Sequence, residues 1–529
     1  MVLDINLFRV DKGGNPDLVR ESQRRRGADV GAVDAVIALD EAWRAARFKS
    51  DGHRKVLNQL SREVGECKKA KDEAGAAAKM AEVAERKQMM ADDEVAVAAA
   101  WAKLQEVQGT IGNLVHERVP VSMDEAENRV ERSFGLESRR NVQGVSEEKL
   151  WNHVDLMYMA GISETVRGSA AAGNRGYYLT GAGVLLNQAL ISYALGFLVS
   201  RQFTPIQTPF FLKKDVMAEC AQLDSFDDEL YKVSGEGDDK YLIATSEQSI
   251  CCYHRGERLS GTELPLRYAG YSTCFRKEVG SHGRDTLGIF RVHQFEKVEQ
   301  FCVCRPGEED SWAMLEEMIG NSEDFYKSLG LPFQVVNIVS GALNNAAAMK
   351  YDLEAWFPAA RTFRELVSTS NCTDYQSRNL DVRFAQTGPK AAEAGAPSTQ
   401  FNNSQNEYVH MLNATMTATE RTLCCIVENY QTPDGIRVPD VLKPYMMGRE
   451  FIPFLRPDPS TKEGKKFKVP LAAPGVPPIA EGASAAAAAP APSPSSSTGQ
   501  VSGPALDKLD DLERRMAAMS SKLDDVLQL

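Results

Sequence analysis

Ser272–Val303 reads S-T-C-F-R-K-E-V-G-S-H-G-R-D-T-L-G-I-F-R-V-H-Q-F-E-K-V-E-Q-F-C-V. Its pattern predicts two strands joined by a polar, glycine-bearing loop. Side chains alternate between the faces of a strand. Arg276 and Glu278 are therefore expected on one face of the first strand, and Arg291, His293, Phe295, Lys297 and Glu299 on one face of the second. A face carrying guanidiniums, a ring and carboxylates is expensive to bury. Two readings remain open for it. One is a solvated hairpin laced with ion pairs. The other is a floor for a small anionic ligand with a planar ring, because arginine forks match phosphate and Phe295 can stack on a base.

The chain has 529 residues, 43% hydrophobic and 25% charged, with a formal net charge of −12. That length predicts two or more domains of ordinary globular composition. The overall charge opposes nucleic acid, so such a partner requires local basic patches. Ten cysteines form no ladder with metal spacing. They fit a reducing, cytoplasmic compartment, and no structural zinc is expected. Cys302 and Cys304 are expected to pack. The first residues, M-V-L-D-I-N-L-F-R-V-D, resemble no secretory signal. No run of about 18 apolar residues is evident, so no membrane span is expected.

Upstream, Val36, Leu39, Trp43, Ala46, Ser50, His53, Leu57, Leu60, Val64 and Cys67 follow 3-4 spacing, a heptad seam that is polar in its middle. A break is expected around Lys71–Gly75, then a second helix from about Met80 to Val115. Two such helices fold back into an antiparallel hairpin, an arm roughly 50 Å long. Arg54, Lys55, Arg62, Lys68, Lys69, Lys71, Lys79 and Arg86 spread positive charge along it. A spacer coiled coil and a grip on a nucleic-acid backbone both fit this segment. The predicted domains are 1–118 for the arm, 119–150 as linker and 151–456 as a second domain. The second domain is read as an antiparallel sheet flanked by helices, including Trp312–Leu329 and Met416–Tyr430, an α+β arrangement. Prolines in Phe203–Leu212 confine that run to an edge or bend. Ala385–Asn406 reads as a surface loop. Lys462, Lys465, Lys466 and Lys468 make a basic patch, and 457–503 reads as a disordered linker rich in Ala, Pro and Ser. Residues 504–529 read as an amphipathic helix, with Leu509, Leu512, Met516, Met519, Leu523 and Val526 at heptad spacing. Three heptads are marginal alone, so this helix calls for a partner protein or self-association.

Four further fragments accompany the hairpin: Thr245-Ser246-Glu247, Glu365-Leu366-Val367-Ser368, Ser370–Gln376 and His410–Thr415 followed by Arg421. Each is weak alone. Together, and in this order, they make the chain resemble seryl-tRNA synthetases of the eukaryotic cytosolic type over roughly residues 1–455. The resemblance implies a class II aminoacyl-tRNA synthetase sheet, an arm that recognises the long variable arm of serine tRNA, and a homodimer built partly by F-T-P-I-Q-T-P with Pro209. It implies that Arg276 and Arg421 act on the ATP phosphates and are the catalytic pair. Glu278, Arg291, Val292, His293, Gln294 and Phe295 would complete the nucleotide site, Glu278 reading the adenine amine and Phe295 stacking on the base. Glu365 through Leu366 and Val367 to Ser368 would line it further, with Glu365 and Ser368 holding Mg²⁺. Thr245, Ser246, Glu247, Arg276, Glu299 and Asn413 would bind L-serine. Arg54, Lys55, Arg62, Lys68, Lys69 and Lys71 would meet tRNA.

The implied activity is ATP-dependent ligation of serine to serine tRNA, with selenocysteine tRNA as a second acceptor. The alternative of a different class is a catalytically weakened tRNA-binding or scaffolding relative. Four features depart from the family pattern, two of them a longer Ala385–Asn406 loop and a tail from Leu455 onward without a clear family counterpart. Leu287 stands where an arginine is common, and Gln376-Ser377-Arg378-Asn379 breaks a commoner pair of adjacent arginines.

Overall fold

The computed structural model describes residues 2–136, 144–146, 149–221, 229–235, 237–279, 287–385 and 407–467. The expected tail helix at 504–529, the linker beyond residue 467, Lys468, and the loop from residue 386 to 406 lie outside the described residues.

Helix α1 (Pro16–Arg26) precedes two long helices, α2 (Gly31–Lys69) and α3 (Glu73–Gln108). They form the expected antiparallel hairpin, but α3 begins some seven residues earlier than the seam suggested. Asp72 explains the difference. Its carboxylate accepts from Gly75 N, satisfying one of the first-turn donors and capping a helix that the following alanines extend. The polar middle of the seam is an ion cluster. Lys49 Nζ lies 2.9 Å from Asp93 Oδ1, and His53 Nδ1 lies 2.8 Å from Asp93 Oδ2. Trp43 and Trp101 pack beside it with centroids 4.8 Å apart.

The second body is built on a sheet of eight strands among the described residues: β1 (Arg129–Phe134), β2 (Thr204–Gln207), β3 (Leu266–Phe275), β4 (Gln294–Cys304), β5 (Phe333–Asn337), β6 (Met349–Phe357), β7 (Thr362–Asn371) and β8 (His410–Ala418). Their order is β1-β5-β6-β7-β8-β4-β3-β2. Neighbours are antiparallel except β2, which joins the edge parallel to β3. Pro205 is thus confined to an outer strand, as a residue without an N–H must be. β1 falls inside the segment read as a linker: residues 129–134 pair with β5.

The hydrophobic core lies between this sheet and helices α4 (Ala182–Val199), α7 (Glu308–Ser328) and α8 (Thr419–Asn429). Of two further short helices, α5 (Lys214–Cys220) and α6 (Ser246–Cys251), α6 packs on β3 and α5 packs on α6. Contrary to expectation, α4 is long and apolar enough to cross a membrane, with a mean hydropathy of 1.7 over 18 residues. Leu186, Leu190, Ala194 and Leu198 bury one side of it in the core, which accounts for that composition.

The region read as one helix, Met416–Tyr430, is split. β8 continues to Ala418, and α8 starts at Thr419. Thr415 and Thr417 favour the pleated strand, and pairing with β4 runs to Ala418. Arg421 consequently lies in the first turn of α8.

The arm is seated on the sheet body by a buried guanidinium. Arg26 donates to the carbonyls of Asn113, Leu343, Asn344 and Ala347, the last at 2.6 Å. Burial lowers its pKa to about 10, and the carbonyls keep the charge tolerable. Tyr375 Oη donates to Ile111 O at 2.6 Å across the same junction. Replacing Arg26 by Met strands these carbonyls. Arg26→Met is expected to lower stability by roughly 2–4 kcal/mol in urea unfolding and to let limited proteolysis release the arm.

Candidate active site

The β3–β4 ladder runs in register from Leu266↔Val303 to Phe275↔Gln294. Phe295, Lys297 and Glu299 alternate along β4 and share a face, as expected. Arg276 and Glu278 lie just beyond the end of β3. Arg276 N still donates to His293 O at 2.9 Å, and the chain then turns out of the ladder, with Glu278 at φ +50°. This turn swings both side chains into one cavity with Arg291, Val292, Phe295, Glu365, Leu366 and Arg421. Arg291 Nη1 lies 3.0 Å from Glu278 Oε2, and the Arg276 guanidinium stands 5.3 Å from the Phe295 centroid. Arg421 bonds Glu365 Oε2 at 3.3 Å and faces the Phe290 ring.

His293 and Gln294 do not join them. His293 Nδ1 meets Arg276 O, and both residues line a separate cavity with Arg175, Tyr177 and Tyr231. His293 is displaced because it precedes β4 and follows no strand alternation. Val367 points away too, into the sheet core.

Glu365 and Ser368 are three apart, which on a regular strand would set them on opposite faces. A bulge between β6 and β7 corrects this. Leu353 pairs with Val367 and Glu354 with Glu365, leaving Leu366 extra. The inserted residue restores Glu365 and Ser368 to one side. Asp352 lies opposite Ser368, buried, with Oδ1 lacking a hydrogen-bond partner among the described residues. Oxygens from Glu365, Ser368 and Asp352 Oδ1 suit a hard cation such as Mg²⁺, while Asp352 Oδ2 pairs with Lys350 Nζ at 3.4 Å. Desolvation pushes the Glu365 carboxyl up, and Arg421, Lys350 and Arg276 more than reverse it.

Glu299 anchors a second half of the site. It is buried and accepts from Thr245 Oγ1 at 2.6 and 2.7 Å, from Ser246 Oγ, and from Glu247 N at 3.1 Å. Lys297 Nζ stands 2.5 Å away. Burial alone would raise the Glu299 carboxyl, but Lys297 and the hydroxyls hold it below the usual range. Ser246 is wholly buried and braces Glu299. Glu247 instead meets Gln376 Nε2 at 2.7 Å, and burial, then the Glu299 charge, push it up to about 7. Asn413 Nδ2 reaches Cys372 Sγ at 3.6 Å, on a thiol that also feels Glu247. Arg276 connects the halves, since its charge acts on both Glu247 and Glu365.

Sequence reasoning did not assign roles to Lys297, Phe290, Gln376, Arg364 or Glu420. Lys297 and Gln376 carried a signal, the first on the charged face and the second in the polar run Ser370–Gln376. Phe290 and Arg364 carried none, because their stacking, 4.8 Å from guanidinium to ring, joins distant segments. Leu287 is exposed beside the loop 280–286, which lies outside the described residues. The arm cations Arg54, Lys55, Arg62, Lys68, Lys69 and Lys71 are all exposed, Arg54 pairing with Glu94.

Residues 2–115 match the seryl-tRNA synthetase N-terminal domain, and residues 231–430 match the tRNA synthetase class II core domain of the G, H, P, S and T type. The chain is 56% identical to the cytoplasmic serine–tRNA ligase of Arabidopsis thaliana, over 88% of this chain and all of that relative. The chain belongs to the seryl-tRNA synthetase family. Within the family it is 50% identical to the cytoplasmic enzyme of Schizosaccharomyces pombe, over 88% of this chain and all of that one. Among solved seryl-tRNA synthetases, the Naegleria fowleri cytoplasmic enzyme in complex with AMP aligns at a TM-score of 0.73 and 49% identity. That alignment covers 86% of this chain and all of that one. The Pyrococcus horikoshii enzyme complexed with ATP gives 0.73 and 36% over the same shares.

Gly270 opposes Glu299 across the ladder, and a Cβ there would lie 2.4 Å from Ile250 Cδ1 and 3.0 Å from Ser246 Oγ. Its bareness lets α6 lie on the sheet. Gly270→Val is expected to lift α6 and cost about 1–3 kcal/mol in urea unfolding, with loss of the Glu299 hydrogen bonds from Thr245 and Ser246.

Proposed function

We propose that this synthetase activates L-serine with ATP to seryl-adenylate and transfers the seryl group to serine tRNA. The observation that carries the reading is the single cleft in which Arg276, Arg291, Arg421, Glu278 and Phe295 surround one cavity beside the Glu247–Glu299 carboxylates. Family membership, and relatives named as cytoplasmic serine–tRNA ligases, support both this activity and a cytoplasmic setting. The AMP and ATP complexes of relatives support ATP as the nucleotide.

In this reading the adenine stacks on Phe295, and Glu278, held by Arg291, accepts from its amine. The serine ammonium meets Glu247 and Glu299, and Thr245 and Asn413 enclose its hydroxyl. The serine carboxylate attacks the α-phosphorus, forming an acyl–oxygen–phosphorus link as the bond to pyrophosphate breaks. No side-chain nucleophile takes part. Arg276 and Arg421 hold the phosphates in line and stabilise the charge that develops on them. The first-turn place of Arg421 adds the positive end of the α8 dipole. Glu365 and Ser368 would hold Mg²⁺, which would supply further charge neutralisation on the phosphates. A ribose hydroxyl of the tRNA end then displaces AMP from the adenylate. The exposed cations of the α2–α3 arm hold the tRNA body, and a second copy pairs through α4 and the Pro209 segment.

Serine-dependent exchange of pyrophosphate into ATP is the test. Wild-type protein is expected to exchange, with Arg421→Ala at least about 100-fold slower. Absence of exchange in well-folded wild-type protein overturns the proposal.

A second measurement follows from Glu247. It is protonated below about pH 7 and ionised above, and only the ionised form attracts an ammonium. The KM for serine is therefore expected to fall as pH rises through about 7. In Glu247→Gln it should be raised roughly 10- to 100-fold and flat over that window.

A further inference from the structure

β4 reaches the cleft beyond the point where β8 can support it. Pairing of the two strands runs from Cys304↔His410 to Lys297↔Ala418 and stops there, because the chain turns into α8 at Thr419. Glu296, the next residue of β4 toward the cleft, would be left with a backbone N–H and C=O lacking strand partners, a costly state at a half-buried position. Side chains of the two residues that open α8 replace the missing strand. Glu296 N donates to the two Glu420 carboxylate oxygens at 3.1 and 3.3 Å. Thr419 Oγ1 lies 3.3 Å from Glu296 O and 2.9 Å from Glu420 Oε2, and its proton can go to either. Tyr177 Oη adds a third donor, 2.7 Å from Glu420 Oε1 and 3.2 Å from Gln294 O.

Gln294 and Glu296 flank Phe295, and Glu420 precedes Arg421. The Glu420 carboxylate therefore ties the strand that carries the Phe295 ring to the helix that carries the Arg421 guanidinium, one peptide unit from each. It also forms part of the wall between the nucleotide cleft and the cavity that holds Tyr177.

We propose that Glu420 is a positioning residue for the nucleotide: its bonds to Glu296 N and Tyr177 set the separation of Phe295 from Arg421, and with it the fit of a ligand that carries a purine ring at one end and a polyphosphate at the other. The proposal rests on the serine-activating reading for the identity of that ligand, ATP. A packing role fits the position poorly. Glu420 is only 3% exposed. Burial pushes its carboxyl up to about 7 in spite of the donors from Tyr177, Glu296 N and Thr419. An acid here thus costs stability that an apolar side chain would not. Burial, and then the Glu420 charge, hold the Tyr177 phenol well above its ordinary range, which keeps it a donor. No step of serine activation uses the Glu420 proton. The serine half of the cleft is braced separately, by Thr245 and Ser246 on Glu299.

The test measures binding of ATP, adenosine and inorganic pyrophosphate to the full chain by titration calorimetry, with the weaker fragments read by displacement of ATP. Glu420→Ala should weaken ATP roughly tenfold while adenosine and pyrophosphate each change by less than about twofold, because a fragment needs one end of the cleft and ATP needs both at once. Glu420→Gln should regain most of that loss, since its amide oxygen still accepts from Glu296 N. The KM for serine at saturating ATP should not rise in Glu420→Ala, and the urea midpoint should not fall. Tyr177→Phe removes one hydroxyl and should weaken ATP roughly threefold with the fragments again unaffected. It carries the test if Glu420→Ala does not fold. ATP binding at wild-type strength in both variants overturns the proposal. So does equal weakening of ATP and both fragments, which would mean a general loss of structure, and so does a Glu420→Gln variant as weak as Glu420→Ala. Absence of pyrophosphate exchange in wild-type protein that binds ATP would overturn the serine-activating reading and leave the binding result standing.

Discussion

A carboxylate on a buried strand face must be surrounded by donors, and Glu299 dictates much of this molecule's centre. Its partners come from its own strand, through Lys297, and from the start of α6, through Thr245, Ser246 and the Glu247 amide. Those partners fix where α6 can sit, and α6 in turn demands a residue without a side chain at Gly270. With Glu299 saturated and ionised, the next carboxylate, Glu247, must sit beside a like charge in a poorly hydrated place. Its raised pKa is the consequence. An ammonium that arrives beside the pair offsets the repulsion between them and favours the ionised form of Glu247.

The same economy of backbone devices shapes the nucleotide half. Arg276 and Glu278 reach the cleft because the chain leaves the ladder after β3, with Glu278 in the left-handed region. Glu365 and Ser368 meet because Leu366 is bulged out of the β6–β7 pairing. Arg421 arrives because β8 runs straight into α8. Regular strands and a regular helix would have dispersed all three sets, so the irregular positions coincide with the proposed chemistry.

The arm depends on a different solution to the same problem of buried charge. Arg26 brings a guanidinium into the junction and satisfies it with backbone carbonyls from both bodies. Neutral carbonyls leave it charged without a counter-ion, and the junction is directional because each N–H has one place to point. The Lys49–His53–Asp93 cluster plays a comparable part within the hairpin, replacing a stretch of apolar seam and fixing its register.

Much of this was legible in the sequence because it rests on local periodicity. Heptad spacing gave two arm helices, alternation gave the shared face of Phe295, Lys297 and Glu299, and the ordered fragments gave the family. What required the tertiary structure were features set by pairing partners or by separate segments. The bulge at Leu366 is invisible without β6, and the exclusion of His293 follows from where β4 begins. The burial of α4 reflects the layers packed on it, and the stacking of Arg364 on Phe290 joins remote loops. Sequence by itself determined which residue types recur at which spacing, since side-chain direction follows backbone period. The tertiary structure alone decided which of those side chains meet, since contact, burial and pKa depend on neighbours that the chain brings from far away.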